Sequence, residues 1–379
     1  MCKRNTFFFS NNSLTGFNAL NFFGYANNMT SFIRAIAIVV ATTSLACPSR
    51  GEAVIDQTTQ TCELFDDSEQ TSSFRIETPD AGASVGERIW LVSTRGLPYD
   101  VPCGDLADPE LRVYRLDGCG RSTPVALETF ESLLSPSRPL VVYVHGNLID
   151  KQSAVQRGMD VYRAIRSCRR QEPVDWVIWS WPSGFESCRL IKDFRRKADR
   201  TDAQGLYLAW FLRRQVQSSL QISMIGYSFG SRVISGSLHA LAGGSLDGGR
   251  LGGSVVTGAK IYAGWIAPAM ESTWMCPNGY HGRATNNLQE LLILYSRRDA
   301  ILKRYWLIDR VRSSVALGYS GPQGFGPRAD GTPLPVRSRD CAGAIGIRHD
   351  ELEYYEQCQC NATAEMARLI NVRFTSEGS

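Results

Sequence analysis

At 379 residues, with 43% hydrophobic and 21% charged positions, the chain has the apolar content of a globular protein with a sizeable core, which excludes a disordered or fibrous polymer. A formal net charge of +4 is small for this length and gives no electrostatic case for a nucleic-acid partner. The basic clusters RLIKDFRRKADR (189–200) and SRRDAILKR (296–304) read as solvated faces.

The first stretch reads as a targeting segment. Met29 and Arg34 precede AIAIVVATTSLA (35–46), a run long enough for a signal-peptide core and short for a membrane span. Cleavage after Ala46 or Ala53 would make 1–53 a leader, with 1–28 an upstream extension. An exported protein is expected, meeting a membrane only through that leader or through a lipid on Cys47. Cysteine usage agrees, since nine of the eleven cysteines follow residue 53 as scattered singles. Cys358-Gln359-Cys360 is too tight for a zinc knuckle, and no histidine stands nearby at ligand spacing. Disulfides are therefore expected in place of a metal, with one thiol left over and a connectivity the spacing does not reveal.

Residues 54–86 form a polar lead-in, and a domain spanning 87–375 follows. RIWLVSTR (88–95) and LRVYRL (111–116) read as strands, and PLVVYVHG (139–146) as a strand buried on both faces. Apolar residues at helical spacing predict a helix over 153–168, and VDWVIWSW (174–181) is the next strand. A helix at 202–216, a strand at 221–227 and a helix at 229–243 continue the alternation. The stretch 255–267 holds a strand, 290–296 is another, 300–308 is helical, a weaker strand spans 336–347, and 362–372 is a closing helix. Strands alternating with helices predict an α/β fold with a mainly parallel sheet, doubly wound or closed into a barrel. Two stretches fall outside this rhythm. Residues 309–335, rich in Gly and Pro, read as an active-site flap or a disordered loop, and Trp181 and Phe185 in 180–194 either line a pocket or join the core.

Two pentapeptides fit G-x-S-x-G. Gly82 to Gly86 places Ser84 in a loop before a strand. Gly226-Tyr227-Ser228-Phe229-Gly230 places Ser228 where a strand gives way to a helix, a sharp turn that exposes the hydroxyl at the sheet's carboxyl edge. The helix N-terminus there also aims N–H groups at a developing oxyanion. Context selects Ser228 as a candidate nucleophile. Of the four histidines, His145 ends an earlier strand, His239 lies about three turns along the helix after Ser228, and His281 sits in a loop expected to face solvent. His349 follows the last strand and is the candidate base.

Together these residues resemble the α/β-hydrolase family, whose triad runs nucleophile, acid, histidine along the chain. The likeness covers about 86–375 and rests on the joint order of Ser228, Asp299 and His349, with HGN (145–147) resembling the family's oxyanion loop. It implies an α/β-hydrolase fold, with Gly226, Tyr227 and Gly230 shaping the nucleophile elbow. It also implies an oxyanion hole from the backbone N–H groups of Phe229 and Asn147, positioned by His145 and Gly146. Asp309 and Asp340 are alternative acids. The implied activity is hydrolysis of a small-molecule carboxylic ester through an acyl-enzyme, with no cofactor or metal. Acyl transfer or thioester cleavage by the same triad, or a non-catalytic binding or envelope protein on this fold, are the other roles the likeness leaves open.

Overall fold

A computed structural model describes residues 88–371 except 101–102, 119, 169–172, 217–219 and 310–313. The leader and the polar lead-in lie outside the described residues.

The strands are β1 (Arg88–Ser93), β2 (Gly104–Asp105), β3 (Arg112–Leu116), β4 (Ser122–Val125), β5 (Leu140–Val144), β6 (Asp175–Ser180), β7 (Ile222–Tyr227), β8 (Ser245–Leu246), β9 (Gly249–Arg250), β10 (Ile261–Ile266), β11 (Leu288–Tyr295) and β12 (Val336–Asp340). Nine of them form one open sheet in the order β12-β11-β10-β7-β5-β6-β1-β3-β4. Every pairing from β12 across to β1 is parallel, and β3 and β4 close that edge as an antiparallel meander. The short strands β2, β9 and β8 make a separate ribbon.

The parallel strands are unbroken apolar runs because helices cover both of their faces. All residues of β5, β6 and β7 are buried. From β5 the chain moves one way to β6 through the helix Lys151–Cys168, then returns past β5 to β7 through the helix Leu190–Val216. Right-handed crossovers running in opposite directions put their helices on opposite faces, so the sheet is doubly wound and not a barrel. Helix Lys151–Cys168 packs with the closing helix Ala362–Ile370, while Leu190–Val216 packs with Phe229–Leu241. The winding leaves β5 toward β6 and β7 toward β10, so it reverses between these parallel neighbours and opens a crevice at their carboxyl ends.

Four expectations change here. The helix read at 202–216 begins at Leu190, because Phe194 and Ala198 continue its apolar face and the buried Asp193 and Lys197 form an ion pair one turn apart at 2.6 Å. The basic cluster 189–200 is therefore not simply a solvated face: Lys197 is fully buried and Arg200 is 4% exposed, paired with Glu186. In place of a helix over 300–308 there is a 3-10 turn, Leu302–Arg304, and one α-turn, Trp306–Asp309. The weak strand expected over 336–347 stops at Asp340 and turns into the short helix Ala342–Ile345.

The segment 309–335 is neither a free flap nor loose in its described part. Leu317 and Gly318 donate to the carbonyls of Met270 and Pro268, and Ser296 donates to Gly318, which ties that segment to the loops after β10 and β11. The pair Trp181 and Phe185 divides. Trp181 is fully buried core, whereas Phe185 is 53% exposed.

Candidate active site

Ser228 ends β7 and starts the helix Phe229–Leu241, with φ of 51° and ψ of −117°. That backbone is strained for any L-residue and persists only where its surroundings hold it. Here they do. A Cβ on Gly230 would lie 2.0 Å from the Val144 carbonyl oxygen, and one on Gly226 would lie 2.8 Å from the Ser231 nitrogen. The glycines let helix and strand meet at the turn. Ser228 N–H donates to Ile266 O at 3.0 Å and its carbonyl accepts from Ala269 N–H at 3.2 Å, which locks the turn to the end of β10.

Asp299 and His349 converge on this turn from later loops. Asp299 follows β11, fully buried, and its Oδ1 accepts from the N–H groups of Ile301 and Leu302 at 2.9 and 2.8 Å. Its Oδ2 stands 2.6 Å from Nδ1 of His349, and the His349 Nε2 stands 3.0 Å from the Ser228 hydroxyl. One tautomer satisfies both bonds: Nδ1–H donates to the carboxylate, and Nε2 accepts from the serine. The two alternative acids are occupied elsewhere, Asp309 by the Ser314 hydroxyl and Asp340 by Arg297 and by the N–H of Ala342.

The loop after β5 borders Ser228 from the other side. A Cβ on Gly146 would come within 2.8 Å of the Tyr227 ring and 3.2 Å of the Ser228 Cβ, so only glycine permits this approach. His145 stacks on Trp181 with centroids 5.7 Å apart. Its Nδ1–H donates to Gly146 O at 2.9 Å and its Nε2 accepts from the Trp181 N–H at 3.3 Å. Burial pushes its pKa down to about 3, so it is a neutral structural ring that shapes the loop. Asn147 N–H has no partner among the described backbone bonds. Phe229 N–H, the first of its helix, has no carbonyl one turn back to bind. The Asn147 carboxamide is likewise buried with neither polar atom paired among the described residues.

Three ties to the histidine loop had no signal in the sequence. The Tyr227 hydroxyl donates to the His349 carbonyl at 3.0 Å. The Tyr143 hydroxyl donates to buried Glu351 at 2.7 Å, and Arg157 reaches Asp350 at 3.2 Å. Asp350 in turn caps the helix Glu351–Glu356 through the N–H of Leu352. Tyr143 and Tyr227 look like core aromatics in a strand, and nothing in their spacing reports a hydroxyl aimed at a residue far along the chain.

His281 is the clear correction. It is 1% exposed, not solvent-facing, and its Nδ1 stands 2.7 Å from the Ser235 hydroxyl while Trp274 packs edge-on at 4.6 Å. The surrounding aromatics Trp274 and Tyr280 enclose a polar loop that looked exposed by composition. Burial drives its pKa well down, and neighbouring His239 is lowered to about 4 for the same reason.

A parallel sheet wound in both directions, with a strained Gly-flanked serine at its switch point and an acid and a histidine after its last two strands, decides the architecture. The chain has the α/β-hydrolase fold. No protein-family model and no curated protein matches its sequence. Among solved structures, an inhibited esterase B from Lactobacillus rhamnosis matches at 11% identity over 76% of this chain and 88% of the other, with a TM-score of 0.33. A Pyrobaculum calidifontis esterase matches at 13% identity over 69% and 80%, with a TM-score of 0.30. Zea mays acyl-protein thioesterase 2 matches at 12% identity over 62% and 95%, with a TM-score of 0.28.

Proposed function

We propose that the protein is an exported serine hydrolase that cleaves a small carboxylic ester through an acyl-enzyme on Ser228. The observation that carries this reading is the continuous hydrogen-bonded chain from Ser228 through His349 to Asp299, buried on one sheet edge. Export rests on the apolar run 35–46 and the cysteine distribution.

The chemistry follows from the atoms in contact. Nε2 of His349 takes the Ser228 proton as Oγ attacks the acyl carbon, and Asp299 holds the Nδ1–H tautomer and stabilises the imidazolium. The N–H groups of Phe229 and Asn147 receive the oxyanion, each donor contributing on the order of 3 kcal/mol to the transition state. The Asn147 carboxamide is a polar group in the same loop that a bound ester can satisfy. Collapse of the tetrahedral intermediate expels the alcohol with the proton held on His349. Water then attacks the acyl-enzyme with the same base.

The test is intact mass after treatment with a fluorophosphonate, on the parent chain and on Ser228→Ala, followed by turnover of short acyl esters. One adduct on the parent, none on the variant, and hydrolysis by the parent alone is the expected result. A well-folded parent that takes up no reagent and cleaves no ester would overturn the reading.

A further inference from the structure

The loop that delivers His349 begins and ends at a cysteine. Cys341 follows β12 directly and its N–H donates to Tyr295 O at 2.7 Å, at the end of β11. Cys360 sits in the turn before the helix Ala362–Ile370, its N–H bonded to Gln357 O at 2.9 Å. Between them lie the short helix Ala342–Ile345, His349 and the helix Glu351–Glu356. The two ends are adjacent in space. Arg339 donates to Gln359 O at 3.1 Å, a Cβ on Gly343 would stand 4.0 Å from Gln359 Oε1, and the Cys341 and Cys360 side chains lie close enough to interact. Both are buried, at 3% and 0% exposure, whereas the neighbouring Cys358 is exposed.

Two buried, neighbouring thiols, in a chain whose cysteine usage points to an oxidising compartment, are placed for cross-linking. We propose that Cys341 and Cys360 form a disulfide that closes the loop carrying His349. The Cys341 S–H donates to Arg339 O at 3.9 Å, with Cys360 buried beside it. Either sulfur, once deprotonated, opens the exchange. Its thiolate attacks one sulfur of an oxidant disulfide, such as glutathione disulfide, breaking that S–S bond and releasing one thiolate. The other cysteine, deprotonated in turn, displaces the second thiolate and forms the Cys341–Cys360 bond. Two electrons and two protons leave the pair, and the oxidant is reduced to two thiols.

The link is independent of the reaction, but its effect on turnover rests on the serine-hydrolase reading. Cys341 is anchored to β11 and Cys360 leads into the closing helix, so the bond would pin both ends of the histidine loop to the sheet and its flanking helix. Reduction frees one end. The His349-to-Ser228 geometry then loosens, which lowers kcat and leaves substrate binding alone.

The full chain is equilibrated with glutathione disulfide or with dithiothreitol, alkylated in denaturant and digested without reduction. Mass spectrometry of the oxidised sample is expected to give the Cys341 and Cys360 peptides joined, and the reduced sample to give them separately alkylated. Ester turnover is expected to fall roughly three- to tenfold in kcat on reduction at constant KM. The Cys341→Ala/Cys360→Ala double variant is expected to show no response to reductant. Alkylation of both thiols after oxidation, or Cys341 joined to Cys358, overturns the proposal. A cross-link with unchanged kcat on reduction overturns the positioning role. A cross-link in a chain that cleaves no ester supports the link and counts against the hydrolase reading instead.

Discussion

Ser228 and His349 are held by different physics. Ser228 sits in a turn fixed by close contact: Gly226 and Gly230 press against backbone, and the serine has φ of 51° because strand, helix and neighbouring loop leave no alternative. His349 sits in a loop fixed by polar ties, from Tyr227 to its carbonyl, from Tyr143 to Glu351 and from Arg157 to Asp350. Steric fixation is all or nothing, because packed atoms do not compress. Polar fixation is graded, since each hydrogen bond contributes about 1 kcal/mol and can be removed singly. The elbow should therefore fail abruptly under substitution, and the histidine loop by degrees.

The contact between the two regions is the first place to strain this contrast. Asp299→Asn keeps the shape but removes the charge that fixes the histidine tautomer, and kcat is expected to fall by about 10⁴ with the fold unchanged by circular dichroism. A fall below about tenfold would mean that Asp299 only braces the turn at Ile301 and Leu302.

Gly230→Ala tests the steric side. Its Cβ would meet the Val144 carbonyl, and overpacking of this kind costs about 3 kcal/mol or more, so a melting temperature lower by roughly 10 °C and loss of turnover are expected. A stable, active Gly230→Ala protein would show that the elbow relaxes and that the contrast is false.

Tyr227→Phe tests the polar side. It deletes one hydrogen bond to the His349 carbonyl and leaves the ring in place, so kcat is expected to drop about fivefold at constant KM, with little change in melting temperature. A kcat loss as severe as that of Asp299→Asn would place Tyr227 in the reaction itself.

Glu351 gives the smallest and most pH-dependent effect. Burial pushes its carboxyl up from 4.5 to about 7, with Arg157 pulling back only in part and Asp350 adding to the rise. Tyr143 donates to it, and Tyr355 and His349 also face it. A raised carboxyl favours the folded state in its protonated form. Its contribution is complete below pH 4.5 and is lost as pH rises through about 7, on the order of 1–3 kcal/mol. Glu351→Gln is expected to flatten the stability profile across that window in denaturant titrations. An unchanged slope would mean that Arg157 keeps the carboxylate charged throughout.

Much of this design can be read along the chain. The unbroken apolar runs 140–144 and 222–227 announce strands covered on both faces, and Gly226-Tyr227-Ser228-Phe229-Gly230 between a strand and a helix announces the elbow. The scarcity of histidines narrows the candidate base to His349. All of these are local signals, carried by side-chain period or by residue type at a turn. Composition misleads where burial comes from elsewhere in the chain. The loop of His281 looks exposed until Trp274 and Tyr280 close over it, and Lys197 looks solvated until Asp193 and the flanking helices enclose it.

What the sequence carries alone is thus the order of strands and helices, the mainly parallel sheet and the candidates Ser228 and His349, because sheet burial and turn sterics write themselves into neighbouring residues. Only the folded chain selects Asp299 over Asp309 and Asp340, aims the hydroxyls of Tyr143 and Tyr227 at the histidine loop and sets Cys341 beside Cys360. Those are contacts between residues distant in sequence, and a hydrogen bond or a thiol pair across the fold leaves no period behind it.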